Sequence, residues 1–224
     1  VLVRPYMFLG IVILVIFLCF ILVKMPSGEG AEKGVSSLKH TFGRLFHNTA
    51  YREGVVAQFF YVGAQIMCWT FIIQYGTKVF MSEGMREIDA EVLSQRYNIL
   101  AMMLFCVSRF VCTFLMKYVK PNKLLSFFAL AAGLLTLGVI FVGGRFGLYS
   151  LVAISVCMSL MFPTIYGLSL SGVGDDAKVG AAGLIMAILG GSVLPPLQAA
   201  IIDLEGILGL QSVNVSFILP LICF

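Results

Sequence analysis

The chain has 224 residues, 60% of them hydrophobic and only 12% charged, with a formal net charge of +4 and a mean hydropathy of +1.01. Soluble domains carry about twice that share of charge, so composition excludes a soluble globular protein. The apolar runs are long and unbroken rather than short and alternating, which excludes a transmembrane β-barrel and predicts an all-α polytopic membrane protein.

Measured against the ~20 apolar residues that cross a bilayer, seven spans are expected. The first, 5–23, is too long for the apolar core of a signal peptide and no cleavage site follows it. After it comes the longest polar segment, 24–52. Within that segment, 35–46 has apolar residues at Val35, Leu38, Phe42, Leu45 and Phe46. This spacing fits a short amphipathic surface helix, with a solvated linker as the alternative.

The remaining spans are expected at 53–79, 95–116, 123–142, 146–170, 178–202 and 213–224, joined by short connections. The last is too short to cross and stops inside an apolar run, and the expectation is that the chain is truncated at its C-terminus as well as at its N-terminus. Orientation follows from basic residues in the loops. With 24–52 on the cytoplasmic side, that side holds Lys24, Lys33, Lys39, Arg44, Arg52, Lys117, Lys120, Lys123 and Lys178. The opposite side holds Arg4, Lys78, Arg86, Arg96 and Arg145. Nine against five supports the assignment.

The second span carries the most information. It is apolar enough for a bilayer, yet Gln58, Tyr61, Gln65 and Trp69 fall within one narrow arc at ~100° per residue. An unpartnered amide in hydrocarbon costs several kcal/mol, so such a stripe belongs against protein or a cavity. Amides bond vicinal hydroxyls as donor and acceptor at once, and flat rings stack on the C–H face of a pyranose. The stripe therefore suits a neutral, hydroxyl-rich ligand; the alternative is a polar helix–helix contact.

Further candidates are sparser. Asn98 lies about one turn inside the third span, with a role in the outer part of a cavity or in capping. Arg109 is the one charge well inside a span, which predicts a gate or a state-dependent ion pair, unless its long side chain snorkels to the nearby end. Pro163 removes a backbone hydrogen bond in the fifth span and predicts a kink that serves as a hinge or simply a bent packing helix. Tyr166 is a second ring candidate on the same helix. In the sixth span, Gly180, Gly183, Gly190 and Gly191 offer close-packing surfaces and Pro195 and Pro196 a break. Asp175 and Asp176 before it read as helix caps.

Other chemistries lack residues. The six cysteines lie in apolar runs without a C-x-x-C pair, and His40 and His47 sit in the polar loop without thiols nearby, so no metal site is expected. No catalytic triad or paired carboxylate lies within the spans, which argues against an enzyme. No charged ring or filter loop suggests a channel.

One span, a long basic loop and six closely connected spans match the second part of a 6 + 6 helix transporter. The chain resembles the fucose permease family, a sugar–proton symporter branch of the major facilitator superfamily. The resemblance rests on VVAQFFYVGAQIMCWTFIIQY at 55–75, SRFVCTFLMKYVKPNKLL at 108–125, SLMFPTIYGLSL at 159–170 and GDDAKVGAAGLIMAILGGSVLPPLQ at 174–198. It implies a major facilitator fold, with 1–23 the last helix of the N-terminal half, 24–52 the central cytoplasmic loop and 53–224 the C-terminal bundle. It also implies import of a neutral monosaccharide, L-fucose or a related hexose, with protons across a bacterial inner membrane. Substrate contacts are expected from Gln65, Trp69, Tyr61, Gln58, Asn98 and Tyr166, and gating from Arg109 and Pro163.

Every acidic residue falls in a loop or at a span end, so the coupling carboxylate is expected in an N-terminal half outside this sequence, and no other cofactor is called for. The expected partners are the sugar, protons, the bilayer and that N-terminal half, with no nucleic acid. The alternatives are an exporter of another small molecule on the same fold, which the Met content favours, or a structural membrane protein.

Overall fold

The computed structural model describes residues 3–22, 35–203 and 212–224. It divides into two compact units, Val1–Thr41 and Phe42–Phe224. The described residues are helical, without strands. The first unit holds helix α1 (Val3–Leu22) and the start of α2 (Val35–His47). Position 23 of the expected first span and positions 24–34 of the expected loop lie outside the described residues.

The second unit contains α3 (Thr49–Ser82), α4 (Glu87–Leu115), α5 (Pro121–Phe141), α6 (Gly144–Leu170), α7 (Ala177–Met186) and α8 (Gly190–Asp203). The short helices α9 (Ser212–Ser216) and α10 (Ile218–Cys223) end it. Five stretches are long and apolar enough to cross a membrane: α3, α4, α5, α6 and the run Ala177–Asp203. The two central helices are α3 and α6, each with half or more of its apolar span buried. Their facing side chains form the main core, which runs from Tyr61 through Cys68 and Ile72 to Phe80 on α3 and from Leu148 to Ile165 on α6.

Helix starts explain where the observed bounds exceed the expected ones. The Asn48 side chain accepts from the Tyr51 amide at 3.4 Å and starts α3 at Thr49, four residues earlier than the span 53–79. Helix α4 begins at Glu87 rather than 95, because Glu87 and Asp89 favour a helix N-terminus although they are not apolar. The turn into α6 uses Gly143 at φ 66°, a conformation that suits glycine.

Two breaks differ from the expectation. The sixth span is interrupted by a 3-10 turn at Ala187–Leu189, while Pro195 and Pro196 lie inside α8. At Gly190, directly after the turn, an added Cβ would meet the Phe59 carbonyl of α3, so glycine lets the two backbones come close. The last span is two helices separated at Phe217, because Pro220 has no N–H for the Ser216 carbonyl.

Polar clamps join helix ends. Arg145 at the start of α6 grips Glu83, the C-cap of α3, and Arg44 on α2 pairs in the same two-pronged way with Asp176. Asp176 occupies the N-cap of α7 but makes no side-chain cap bond to it, in contrast to the capping role expected from sequence. Beside that pair, Leu45, Tyr51 and Leu184 form a small buried cluster, and the Tyr51 hydroxyl donates to the Gly180 carbonyl at 2.9 Å.

Candidate functional site

The stripe on α3 separates into two parts. Gln65 and Trp69, four residues apart and therefore on one face, are both half-buried. Gln65 makes no side-chain hydrogen bond among the described residues. Trp69 Nε1 donates to Ser155 Oγ on α6 at 3.2 Å, and its ring meets the Phe105 ring of α4 edge to face, with centroids 5.0 Å apart and planes at 86°. Ser155 is fully buried, and its own hydroxyl donates to the Leu151 carbonyl at 3.4 Å.

The other two stripe residues are turned inward. Tyr61 is 2% exposed; its hydroxyl donates to the Met158 carbonyl at 2.6 Å and its ring lies 6.5 Å from Phe162. That hydroxyl bridges α3 to α6. Gln58 is fully buried, and neither Oε1 nor Nε2 has a hydrogen-bond partner among the described residues. It sits eleven residues before Trp69, about 16 Å along the helix at ~1.5 Å per residue.

Helix α4 adds a neighbouring face. Asn98, Phe105 and Arg109 are spaced to share one stripe, and Phe105 ties that stripe to Trp69. Asn98 Oδ1 is buried without a hydrogen-bond partner among the described residues. Arg109 is exposed, and among the described residues no carboxylate lies within ion-pair distance of it.

On α6 the two candidates stand apart from Trp69. Tyr166 packs against the Leu45, Tyr51 and Leu184 cluster, eleven residues and about 16 Å along the helix from Ser155. Helix α6 continues through Pro163, and the missing proline N–H leaves the Ser159 carbonyl without its helical donor. Between α3 and α4, nearer Glu83, a groove of about 610 Å³ is lined by Thr70, Gln74, Thr77, Lys78, Glu87 and Glu91 and includes none of the predicted site residues.

Three residues were not singled out from sequence. Phe105 reads as one apolar residue among many. Ser155 reads as a small hydroxyl that bonds the carbonyl four residues back, which it also does. Gln198 on α8 is an amide inside an apolar run, the same signal that marked Gln65. It is fully buried, its Nε2 donates to Ser216 Oγ at 3.0 Å, and its Oε1 has no partner among the described residues.

The half-buried amide of α3 and the ring beside it, the ring fixed against α4 and α6, are set within a fold that resembles that of a known transporter. The chain aligns with the crystal structure of the major facilitator superfamily transporter FucP in the outward conformation, with a TM-score of 0.79 and 30% identity over 98% of this chain and 51% of that one. The L-fucose-proton symporter of Haemophilus influenzae is 50% identical over 220 residues, 98% of this chain and 50% of the relative. The chain is homologous to the C-terminal half of the fucose permease family. The glucose/galactose transporter of Brucella abortus is 30% identical over 220 residues, again 98% of this chain and 50% of the relative. The chain therefore spans about half the length of the curated relatives it matches. No family model matches it.

Proposed function

We propose that this chain forms the C-terminal half of a proton-coupled importer of a neutral monosaccharide, L-fucose or a related hexose. The observation that carries the reading is the pairing of Gln65, whose amide has no partner among the described residues, with the fixed half-buried ring of Trp69 one turn away. The names of the similar proteins, L-fucose-proton symporter and glucose/galactose transporter, support the substrate class. In this reading Gln65 bonds vicinal hydroxyls and Trp69 stacks on the sugar's C–H face. Tyr61 braces α3 on α6, Gln58 and Tyr166 belong to the interior near the loop end, and Asn98 borders the outer approach.

The protein is proposed to sit in a bacterial inner membrane with 24–52 cytoplasmic, as the basic-residue bias favours. It is a carrier and not an enzyme. Arg109, exposed on α4 and without a carboxylate partner among the described residues, takes a carboxylate of the facing half in one conformation, and Pro163 gives α6 a hinge. The described carboxylates of Glu53, Glu83, Glu87, Asp89, Glu91, Asp176 and Asp203 stand at helix ends or within the first two turns. The coupling acid is accordingly assigned to the other half.

The test is counterflow of labelled L-fucose, D-galactose, D-glucose and D-arabinose in proteoliposomes of the protein that carries this sequence, repeated with Gln65→Ala and Trp69→Ala. Exchange of one of these sugars, lost in both variants, is the expected outcome. Normal exchange in the variants would remove the site assignment, and no exchange of any sugar would remove the sugar reading.

A further inference from the structure

We propose that Ser155 and Phe105 are positioning residues that fix the plane of Trp69 and restrict it to ring stacking. The proposal rests on the reading that Trp69 lines the sugar site. A half-buried indole on a helix has two rotatable bonds, and nothing in its own helix fixes its tilt. Two contacts from two different helices do so here. The edge-to-face contact with Phe105 sets one side of the ring, and the Nε1–H···Oγ bond of 3.2 Å to Ser155 sets the direction of its polar edge.

The Ser155 hydroxyl is itself oriented. It donates to the Leu151 carbonyl, so the lone pair left over faces the indole. Because Ser155 is fully buried, water does not compete for that bond. The chain of donors thus runs from Trp69 on α3 to Ser155 and on to the α6 backbone, and it ends inside the protein. An indole has one polar donor. With that donor engaged, Trp69 offers a ligand only its ring. Discrimination among hydroxyl epimers falls to groups such as Gln65, while Trp69 reads the C–H face common to several hexoses.

The consequence is measurable. Ser155→Ala leaves the indole donor free and the ring untethered, so KM for the transported sugar should rise on the order of tenfold, with the maximal rate within about twofold. The epimer preference should also change, because a free N–H can now bond a sugar hydroxyl. Ser155→Thr retains the acceptor and should restore the wild-type values. Phe105→Leu should raise KM while leaving the indole hydrogen bond in place.

The experiment combines sugar uptake with ultraviolet resonance Raman spectra of the indole N–H, taken as differences against Trp69→Phe. These spectra need no sugar. The expected result is a spectrum of a hydrogen-bonded indole in wild type, Ser155→Thr and Phe105→Leu, and of a free one in Ser155→Ala. In the Trp69→Phe background, Ser155→Ala should have no further effect on KM, since it acts through the indole. A bonded signature that persists in Ser155→Ala, an unchanged KM despite a freed N–H, or an equal KM effect in the Trp69→Phe background would each overturn the proposal. Wild-type protein without saturable uptake of any tested sugar would overturn the transport reading, and with it the ligand role given to the ring, even where the Raman signature shows the bond.

Discussion

Arg145 holds Glu83 through two hydrogen bonds of 2.7 Å, one to each carboxylate oxygen, and so ties the first turn of α6 to the C-cap of α3. The guanidinium also lies 5.9 Å from the Phe80 ring centroid. These bonds hold the Glu83 carboxyl below its ordinary value. A carboxyl with a lowered folded value stabilises the fold above its unfolded value, and loses that contribution as pH falls through the folded one.

Glu83→Gln should therefore lower the thermal midpoint at neutral pH. The difference from wild type should shrink as pH is taken below the ordinary carboxylate range, because protonated Glu83 no longer pairs. Thermal unfolding in detergent across that range checks this. A gap between the two proteins that stays constant down to full protonation would show that the pair does not carry the effect.

Gly190 makes a sharper steric prediction. A Cβ there would meet the Phe59 carbonyl carbon and oxygen, which are backbone and cannot rotate away. Gly190→Ala should destabilise by about 1–3 kcal/mol, the usual cost of overpacking. Gly167→Ala, also within a helix but with nothing near its added methyl, is the control and should be neutral or slightly stabilising. Equal midpoints for the two variants would refute the packing argument.

These two sites also show what a sequence reveals and what it hides. The stripe Gln58, Tyr61, Gln65 and Trp69 was legible because helical periodicity fixes which residues share a face. What each one touches was not, since that depends on a neighbouring helix. The Tyr61 hydroxyl meets the Met158 carbonyl, and the Trp69 N–H meets Ser155, 86 positions later in the chain. Helix cores were legible from apolar runs, but their ends were set by Asn48 and by the acidic first turn of α4. The break at Ala187–Leu189 was hidden for the same reason as the site contacts: directly after it, Gly190 faces the Phe59 carbonyl of α3, while the adjacent prolines are carried inside α8.

Tyr61 tests the division of the stripe. Its hydroxyl bond to Met158 is buried, so Tyr61→Phe should cost about 1 kcal/mol of stability, the net worth of a typical hydrogen bond. The variant keeps the ring against Phe162 and should retain sugar affinity close to wild type, unlike Gln65→Ala. Chemical denaturation together with a sugar-binding isotherm reads both quantities. A large affinity loss in Tyr61→Phe with unchanged stability would return Tyr61 to the ligand-binding face.

Gln58 gives the opposite sign. Its amide is fully buried and neither heavy atom has a partner among the described residues, a burial that costs about 1–3 kcal/mol when left uncompensated. Met has nearly the same length and no groups to satisfy, and it adapts to irregular cavities. Gln58→Met should raise stability by up to that amount and leave sugar exchange unaltered, because position 58 lies about 16 Å along α3 from Trp69. Gln58→Glu should do the reverse, since an ionisable group is costlier still to bury. Thermal midpoints of the two variants, measured with counterflow on the same samples, decide the point. If Gln58→Met abolishes exchange while the midpoint rises, the amide serves the transport cycle and its unsatisfied state in this conformation is the cost of a bond made in another.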